Sequence, residues 1–571
     1  MKPLMLILLC YFTCIANAQL LIRNTTVVDV ENKELLPATD VLIQDGRIAG
    51  MGKKLKTSSS VQVIDGSGKY LMPGLVDAHV HFFQSGGLYT RPDAIDLRKY
   101  KPYADEIQWV HNHMENFLCR YIAAGITTVV DVGSTINFLK QRDSFRNKTY
   151  APTVYMTGPL LTTWEPEVFK NLGDDEPFYL MKTPDEARRY VEKQLPYKPD
   201  FIKIWYIVQG RNIDSAAHQH LPLVKAAIDE AHKSGLRVAV HATERITAQL
   251  AVEAGADFLV HDIEDEPIDA AFVQLLKTKN TVLSPTLVVA GNYYKTFGQY
   301  YTITADDLQY AHPTPLNSLL DLKKLKDTAL TNRYRRSILN NKNFFDREDS
   351  IRRLNLKKLM DGGVTVATGT DAGNIGTQHV SSYFDELNAM QQSGLDNWQL
   401  LQASTINGAK AVGKEAEFGS IKKGKRADML LLSKNPAEGF ANWKSIEFVI
   451  NKGVVIKPDT IVKYTPTELA DQQLVAYNAH NLEAFVAPYA DDVEIYDFPD
   501  KLLVKEKEQM RKLYGFLSRS SPLYCRLVNR IVQGNKVIDH EEVWEPTDKP
   551  FYGIVIYEIK NNKISRVYFL R

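Results

Sequence analysis

The sequence predicts an α/β protein: a (β/α)8 barrel with a small flanking β-sandwich, followed by a cone-like α+β domain at the C-terminus. Three observations carry this expectation. Between residues 71 and 410, eight short apolar runs alternate with helical patterns, and eight at that spacing fit a closed barrel of parallel strands better than an open sheet. Short antiparallel-type runs lie on both sides of that stretch, at 19–70 and 411–466. After residue 467 a helical pattern gives way to several strand-like alternations. A chain of 571 residues also exceeds what one core usually serves.

Taken in order, residues 1–18 read as an export signal. Lys2 supplies a positive start, residues 4–15 are almost wholly apolar, and Ala16-Asn17-Ala18 is a small-x-small cleavage site before Gln19. The apolar run is too short to anchor the chain in a bilayer. Cys10 and Cys14 lack a lipobox in front of them, and cleavage after Ala18 removes both, so a periplasmic or secreted protein is expected.

The runs Leu20-Leu21-Ile22, Thr26-Val27-Val28-Asp29-Val30 and Asp40-Val41-Leu42-Ile43, with turns at Asp45-Gly46 and Asp65-Gly66, begin the sandwich. Ala427-Asp428-Met429-Leu430-Leu431-Leu432 and Val449-Ile450-Asn451 return to it. Barrel strands are expected at 74–78, 127–130, 153–156, 201–204, 238–240, 258–260, 282–284 and 364–367. A polar, aromatic insertion at 293–352 is expected to form helices and a lid over one mouth.

The composition narrows the partners. Formal net charge is +1 and the charges are mixed along the chain, which gives no electrostatic footprint for nucleic acid or an anionic membrane and points to a small-molecule substrate. Of the four cysteines, Cys119 and Cys525 remain after cleavage, far apart in sequence, so neither a disulfide framework nor a thiolate metal site is expected.

Among thirteen histidines, three pairs have His-x-His spacing. Residues two apart share a face on a strand but not on a helix. His111/His113 lies in a helix-like stretch and His218/His220 in a polar loop or helix start, so neither pair is expected to bind metal. His79/His81 follows the apolar run 74–78 and projects from the C-terminal end of a strand, the face where such barrels place their active sites. His241, His261 and Asp371 also end strand candidates. Lys203 lies inside Phe201-Ile202-Lys203-Ile204-Trp205, where a long cation needs a partner or a lowered pKa. A neutral buried lysine can take up carbon dioxide and present a carbamate.

Pro73-Gly74-Leu75-Val76-Asp77-Ala78-His79-Val80-His81 resembles the opening motif of the amidohydrolase superfamily. Gly125-Ile126-Thr127-Thr128-Val129-Val130-Asp131, Gly369-Thr370-Asp371-Ala372-Gly373 and Thr405-Ile406-Asn407-Gly408-Ala409 are similar to its later blocks, in order, over residues 20–460. The resemblance is nearest to the imidazolonepropionase- and prolidase-like branch. It implies a TIM-like barrel in which His79, His81 and Asp371 bind one metal, His241 and His261 a second, and carbamylated Lys203 bridges them. His241-Ala242-Thr243-Glu244 departs from that branch and resembles the one-metal deaminases, in which the glutamate shuttles protons. His261-Asp262-Ile263-Glu264 likewise lacks the usual glycine.

Residues 467–571 carry a second resemblance. Tyr477-Asn478-Ala479, Tyr489-Ala490-Asp491-Asp492-Val493-Glu494 and Asn562-Lys563-Ile564-Ser565-Arg566-Val567 are similar to the nuclear-transport-factor-two-like, or ketosteroid-isomerase-like, fold. Asp497 falls near the isomerase's aspartate, but Gln473 stands where its tyrosine belongs, so isomerase activity is not expected. Homo-oligomer formation or binding of a small apolar molecule is.

The ligand set implies the chemistry. Nitrogen and oxygen ligands suit zinc, with manganese, iron or cobalt as alternatives. A divalent ion acidifies water and polarises a carbonyl, and Asp371 takes the water's proton as general base and passes it to a leaving amine. The expected activity is hydrolysis of an amide-like C–N bond in a small peptide, an N-acyl compound or a cyclic amide. The alternatives are a mononuclear deaminase using Glu244 and a non-catalytic small-molecule-binding protein.

Overall fold

The computed structural model describes residues 19–58, 61–518, 523–544 and 549–570. The expected signal peptide and its cleavage site lie outside those residues.

The strands of the two flanks join into one eight-stranded sheet. Met429–Leu432, from the C-terminal flank, pairs antiparallel with Tyr70–Pro73, which lies beside Leu20–Asp29. Register shifts between Ile22 and Val27 mark where the Leu20–Asp29 strand bends; its first half pairs with Gln62–Asp65 and its second with Tyr70–Pro73. The bend turns Leu20, Ile22, Val27, Met429, Leu431 and Ile450 onto one apolar core. This sheet clasps the barrel at Gly125. A Cβ there would stand 2.8 Å from Leu430 Cδ1 and 2.9 Å from Ile446 Cδ1, and φ is +82°, so glycine alone lets the chain pass from helix Tyr103–Ala123 into the next strand.

The barrel is a ring of parallel pairings. Leu75–Val80 pairs with Ile126–Asp131, and that strand with Thr153–Met156. The third strand breaks and resumes as Leu160–Thr162, which pairs with Ile202–Trp205. The ladder continues through Val238–His241, Phe258–Val260 and Val282–Ser284. Bridges from Leu283 to Val366 and from Val80 to Ala372 close it. Six of the expected strands lie within one residue of the expected positions at both ends, and the first begins one residue later than expected and runs two residues further. The eighth, expected as a strand at 364–367, is instead an extended segment held by isolated bridges. Its irregularity has a cause: a Cβ on Gly369 would lie 2.3 Å from Ser284 Oγ and 2.7 Å from His79 Cβ, and two residues later Asp371 has φ +60°. The segment is bent to bring a carboxylate against the first strand.

The insertion is helical: Val288–Phe297, Ala305–Tyr310, Pro313–Ser318, Thr328–Asn340 and Lys342–Asp361. Leu316, Leu319 and Leu322 pack with Leu88, Leu97 and Val475, so the insertion fills the space between the barrel mouth and the C-terminal domain. There, helix Pro466–Asn478 opens with a capping box between Thr465 and Glu468. Glu468 also faces His312 Nε2 at 3.1 Å and accepts from Asn116 Nδ2 at 2.7 Å, and Asn478 donates to Asn317. Behind this helix, strands Lys501–Lys505, Tyr489–Asp497, Lys563–Leu570, Phe551–Lys560, Lys536–Trp544 and Tyr524–Gln533 form a six-stranded sheet in that spatial order.

Both rejected histidine pairs lie on helices, His111/His113 on Tyr103–Ala123 and His218/His220 on Ile213–Lys233. Cys119 and Cys525 are free and buried. Among the described residues no helix is long and apolar enough to cross a membrane.

Candidate metal centre

All six residues singled out in the sequence gather at the C-terminal ends of the barrel strands. His79 lies in the first strand and His81 directly follows it, Lys203 comes from Ile202–Trp205, and His241 from the end of Val238–His241; His261 and Asp371 follow the next strand and the closing segment. His79 Nε2 and His81 Nε2 stand 3.3 Å apart. Asp371 Oδ1 is 3.2 Å from the first and 3.1 Å from the second. The His261 donor lies within 4.8 Å of those of His79 and Asp371, and the His241 and His261 ring centroids are 4.4 Å apart.

These spacings suit a cation. Donors about 2.0 Å from a tetrahedral ion stand about 3.3 Å from one another. The rings are held to leave lone pairs inward. His81 Nδ1 donates to the Gly133 carbonyl at 2.7 Å, which turns its Nε2 inward, and His261 Nδ1 engages Thr286 Oγ1 at 2.7 Å. His79 Nδ1 is buried without a hydrogen-bond partner. Burial pushes His79 down to about 4 and His241 and His261 well below the ordinary imidazole value, so all three are neutral at pH 7. Burial opposes the charge on Asp371, yet His79 and His81 hold its pKa well below the usual carboxylate value.

Lys203 is 1% exposed and has no ion-pair partner among the described residues. Burial lowers its pKa to about 7, with the Asp371 charge acting in the opposite sense. A buried amine of that kind is reactive toward carbon dioxide in its neutral form. The donor set of imidazoles, a carboxylate and this lysine therefore fits one or two divalent ions.

The backbone around the centre is strained. His261 has φ +78° and Asp371 φ +60°, conformations that side-chain-bearing residues seldom adopt. Asp77 fixes the joint between the first strand and the closing segment: it accepts from His79 N, Thr370 N and Thr370 Oγ1 at 3.3, 3.1 and 2.8 Å.

Beyond the six, the site contains groups that the sequence did not single out. Asn374 Nδ2 donates to Asp371 Oδ1 at 2.7 Å, and Asn374 Oδ1 accepts from Tyr293 OH at 2.8 Å and from Arg91 Nη1. Arg91 is anchored in turn by a two-point contact with Asp93. Arg352, from the insertion, pairs with Glu264 at 2.7 Å. Together with Phe83, Leu160, Phe178, Trp205 and Val289 these groups wall a cavity of about 320 Å³. Asn374 directly follows the recognised block Gly369–Gly373 but lies outside it; Arg91, Tyr293 and Arg352 come from loops and the insertion, where no spacing marks them.

Glu244 is placed differently from the deaminase expectation. It occupies the N-cap position of helix Arg245–Ala254, its carboxylate accepts from Thr247 Oγ1 at 2.8 Å, and it is not part of the cavity wall. The glutamate in the wall is Glu264.

A family model described as Amidohydrolase family matches residues 70–458, and one described as SnoaL-like domain matches 470–567. A 5'-deoxyadenosine deaminase of Methanosarcina mazei is 24% identical over 447 residues, covering 73% of this chain and 84% of its own. In fold, the chain is similar to a Xaa-Pro dipeptidase solved with bound methionine (TM-score 0.56, 21% identity, 77% of this chain and 100% of that one). It is similar also to molinate hydrolase (TM-score 0.58, 19% identity, 79% and 98%).

Proposed function

Because this chain belongs to the amidohydrolase family, we propose that it is an exported, metal-dependent hydrolase of an amide-like C–N bond. The substrates in view are a small peptide, an N-acyl compound or a cyclic amide. The observation that carries the reading is the convergence of His79, His81, Lys203, His241, His261 and Asp371 at one barrel mouth, where all but the fully buried His79 line one small cavity, with inward-facing atoms 3.1 to 3.3 Å apart where the first pair meets Asp371. Export rests on Lys2, the apolar run that follows it and Ala16-Asn17-Ala18.

His79, His81 and Asp371 would hold one divalent ion and His241 and His261 a second, with Lys203, carboxylated by carbon dioxide, shared between them. Zinc suits these donors. When bound, the ions would supply an acidified water and a Lewis acid for the carbonyl oxygen. The chain's own residues do the rest. Asp371 accepts the proton from the attacking water and delivers it to the leaving nitrogen. Asn374, held by Arg91 and Tyr293, keeps the Asp371 carboxylate turned toward the reacting atoms. Phe178, Trp205 and Val289 exclude bulk water, and Arg352 with Glu264 forms the polar wall that meets the far end of a small substrate. The cavity volume suits a small molecule rather than a protein chain.

A deaminase is the second reading, favoured by the similarity to the Methanosarcina mazei protein over most of both chains. On that reading Glu264, rather than Glu244, is the carboxyl within reach of a substrate.

The test is a screen of metal-loaded protein against dipeptides, N-acyl amino acids, lactams and adenine nucleosides, following free amine and ammonia separately. Chelator-sensitive release of an amine together with a carboxylic acid supports the hydrolase; ammonia release from a nucleoside supports the deaminase.

A further inference from the structure

The charges that balance over the whole chain do not balance locally. Residues 323–358 hold twelve Lys and Arg against four Asp and Glu, in a chain whose formal net charge is +1. Most of them lie on the consecutive helices Thr328–Asn340 and Lys342–Asp361, which meet at Asn341. One side of this pair packs on the rest of the insertion. The Tyr334 ring lies 5.1 Å from that of Phe297 and its hydroxyl donates to the Ala94 carbonyl at 2.8 Å, Phe345 stacks on Tyr294 at 3.9 Å, and Ile338 is buried with them.

The other side has no cover among the described residues. Arg333, Arg335, Arg336 and Arg347 are exposed and pair with no carboxylate there, whereas Lys342, Arg352 and Arg353 are committed to Asp346, Glu264 and Asp349. A single exposed leucine is ordinary on a protein surface, but Leu339, Phe344 and Leu354 are 51, 55 and 45% exposed among these arginines. Leu339 stands four residues from Arg335 and three from Arg336, and Phe344 three from Arg347, separations that share a helix face. Leu339 and Phe344 also flank the turn at Asn341, so apolar side chains mark the tip and cations lie behind it. Unpaired like charges held this close repel one another, and an opposite charge relieves that.

We propose that this face docks on an anionic phospholipid bilayer, with Leu339 and Phe344 among the headgroups and Arg333, Arg335, Arg336 and Arg347 on the lipid phosphates. Guanidinium groups match phosphate oxygens with paired donors. A bilayer presents those phosphates above an apolar layer, which suits the tip, whereas a soluble polyanion offers the arginines a partner and the apolar side chains none. The contact is peripheral, since among the described residues no helix is long and apolar enough to cross a membrane. Helix Lys342–Asp361 also carries Arg352 into the wall of the barrel cavity, so a docked chain holds that cavity near the lipid surface.

Vesicle flotation of the full-length, metal-loaded protein is the experiment. The wild-type chain is expected to float with vesicles of phosphatidylglycerol and phosphatidylethanolamine, to stay behind with phosphatidylcholine alone, and to be released by added salt. Arg335→Glu together with Arg336→Glu is expected to weaken binding at least about twenty-five-fold, about five-fold for each cation lost. Leu339→Ala together with Phe344→Ala should weaken it about ten-fold, from the loss of two partly inserted apolar side chains. All four residues are exposed, so thermal melts and metal content should match the wild type and show that each variant is folded. Failure to float with the anionic vesicles, equal binding to both kinds of vesicle, or binding undiminished in either folded double variant would overturn the proposal. Retention on immobilised heparin without flotation, lost in the arginine variant and kept in the Leu339/Phe344 variant, would also overturn it and make a soluble polyanion the partner.

Discussion

Asn374 Nδ2 donates to Asp371 Oδ1 across 2.7 Å, on the same oxygen that faces His79 and His81. This bond fixes the rotation of the carboxylate assigned as proton carrier. Replacing Asn374 with Ala is expected to lower kcat by about ten- to a hundred-fold, the range for one hydrogen bond to a charged group. Metal content and KM should change little. Arg91→Ala should show a weaker version of the same pattern, because Arg91 acts through Asn374. Steady-state kinetics beside metal analysis check both, and a rise in KM with unchanged kcat would place Asn374 on the substrate instead.

Asp371→Asn separates holding a metal from moving a proton. The amide oxygen retains some capacity to coordinate but cannot take up a proton at neutral pH. Turnover is expected to fall to background while a substantial fraction of the metal remains. Near-normal turnover in this variant would remove Asp371 from the mechanism.

Lys203→Ala is expected to lose activity and the second ion, and acetate or propionate added in solution should restore part of both by supplying the missing carboxylate. Mass spectrometry under native conditions with bicarbonate should show wild-type protein heavier by one carbon dioxide, and Lys203→Ala without that increment.

Much of this site was legible because its candidate metal-binding residues follow apolar runs. Val238-Ala239-Val240 before His241 and Phe258-Leu259-Val260 before His261 mark strands, and strand ends are where a parallel barrel exposes side chains. The closing segment was less legible. Its run of Val364-Thr365-Val366 reads as a strand, but the close approach at Gly369 to His79 bends it away from a regular ladder, and only packing reveals that. Glu244 shows the limit of motif spacing. Its separation from His241 matches a proton shuttle, yet the helix that starts at Arg245 turns its carboxylate onto Thr247. Arg91, Tyr293 and Arg352 were invisible for a related reason, since residues brought together by long connections share no local period.

The stability of the C-terminal domain should depend on pH through Glu541. Burial raises its pKa from 4.5 to about 7. Between those values the folded state binds a proton that the unfolded chain has released, so its contribution to stability is greatest below pH 4.5 and is lost as pH rises through about 7. Glu541→Gln cannot ionise. The melting temperature of Glu541→Gln relative to wild type is therefore expected to rise from pH 5 to pH 8, and a constant difference across that range would show that Glu541 is not held protonated.

The central claim is a two-ion centre built on six residues of the barrel. Its most direct test is anomalous diffraction at the metal absorption edge, on crystals of protein loaded with zinc in bicarbonate. The account predicts two peaks, one bounded by His79, His81 and Asp371 and the other by His241 and His261, with density for a carboxylated Lys203 between them. A single peak beside an unmodified Lys203, or no peak among these residues, would contradict it.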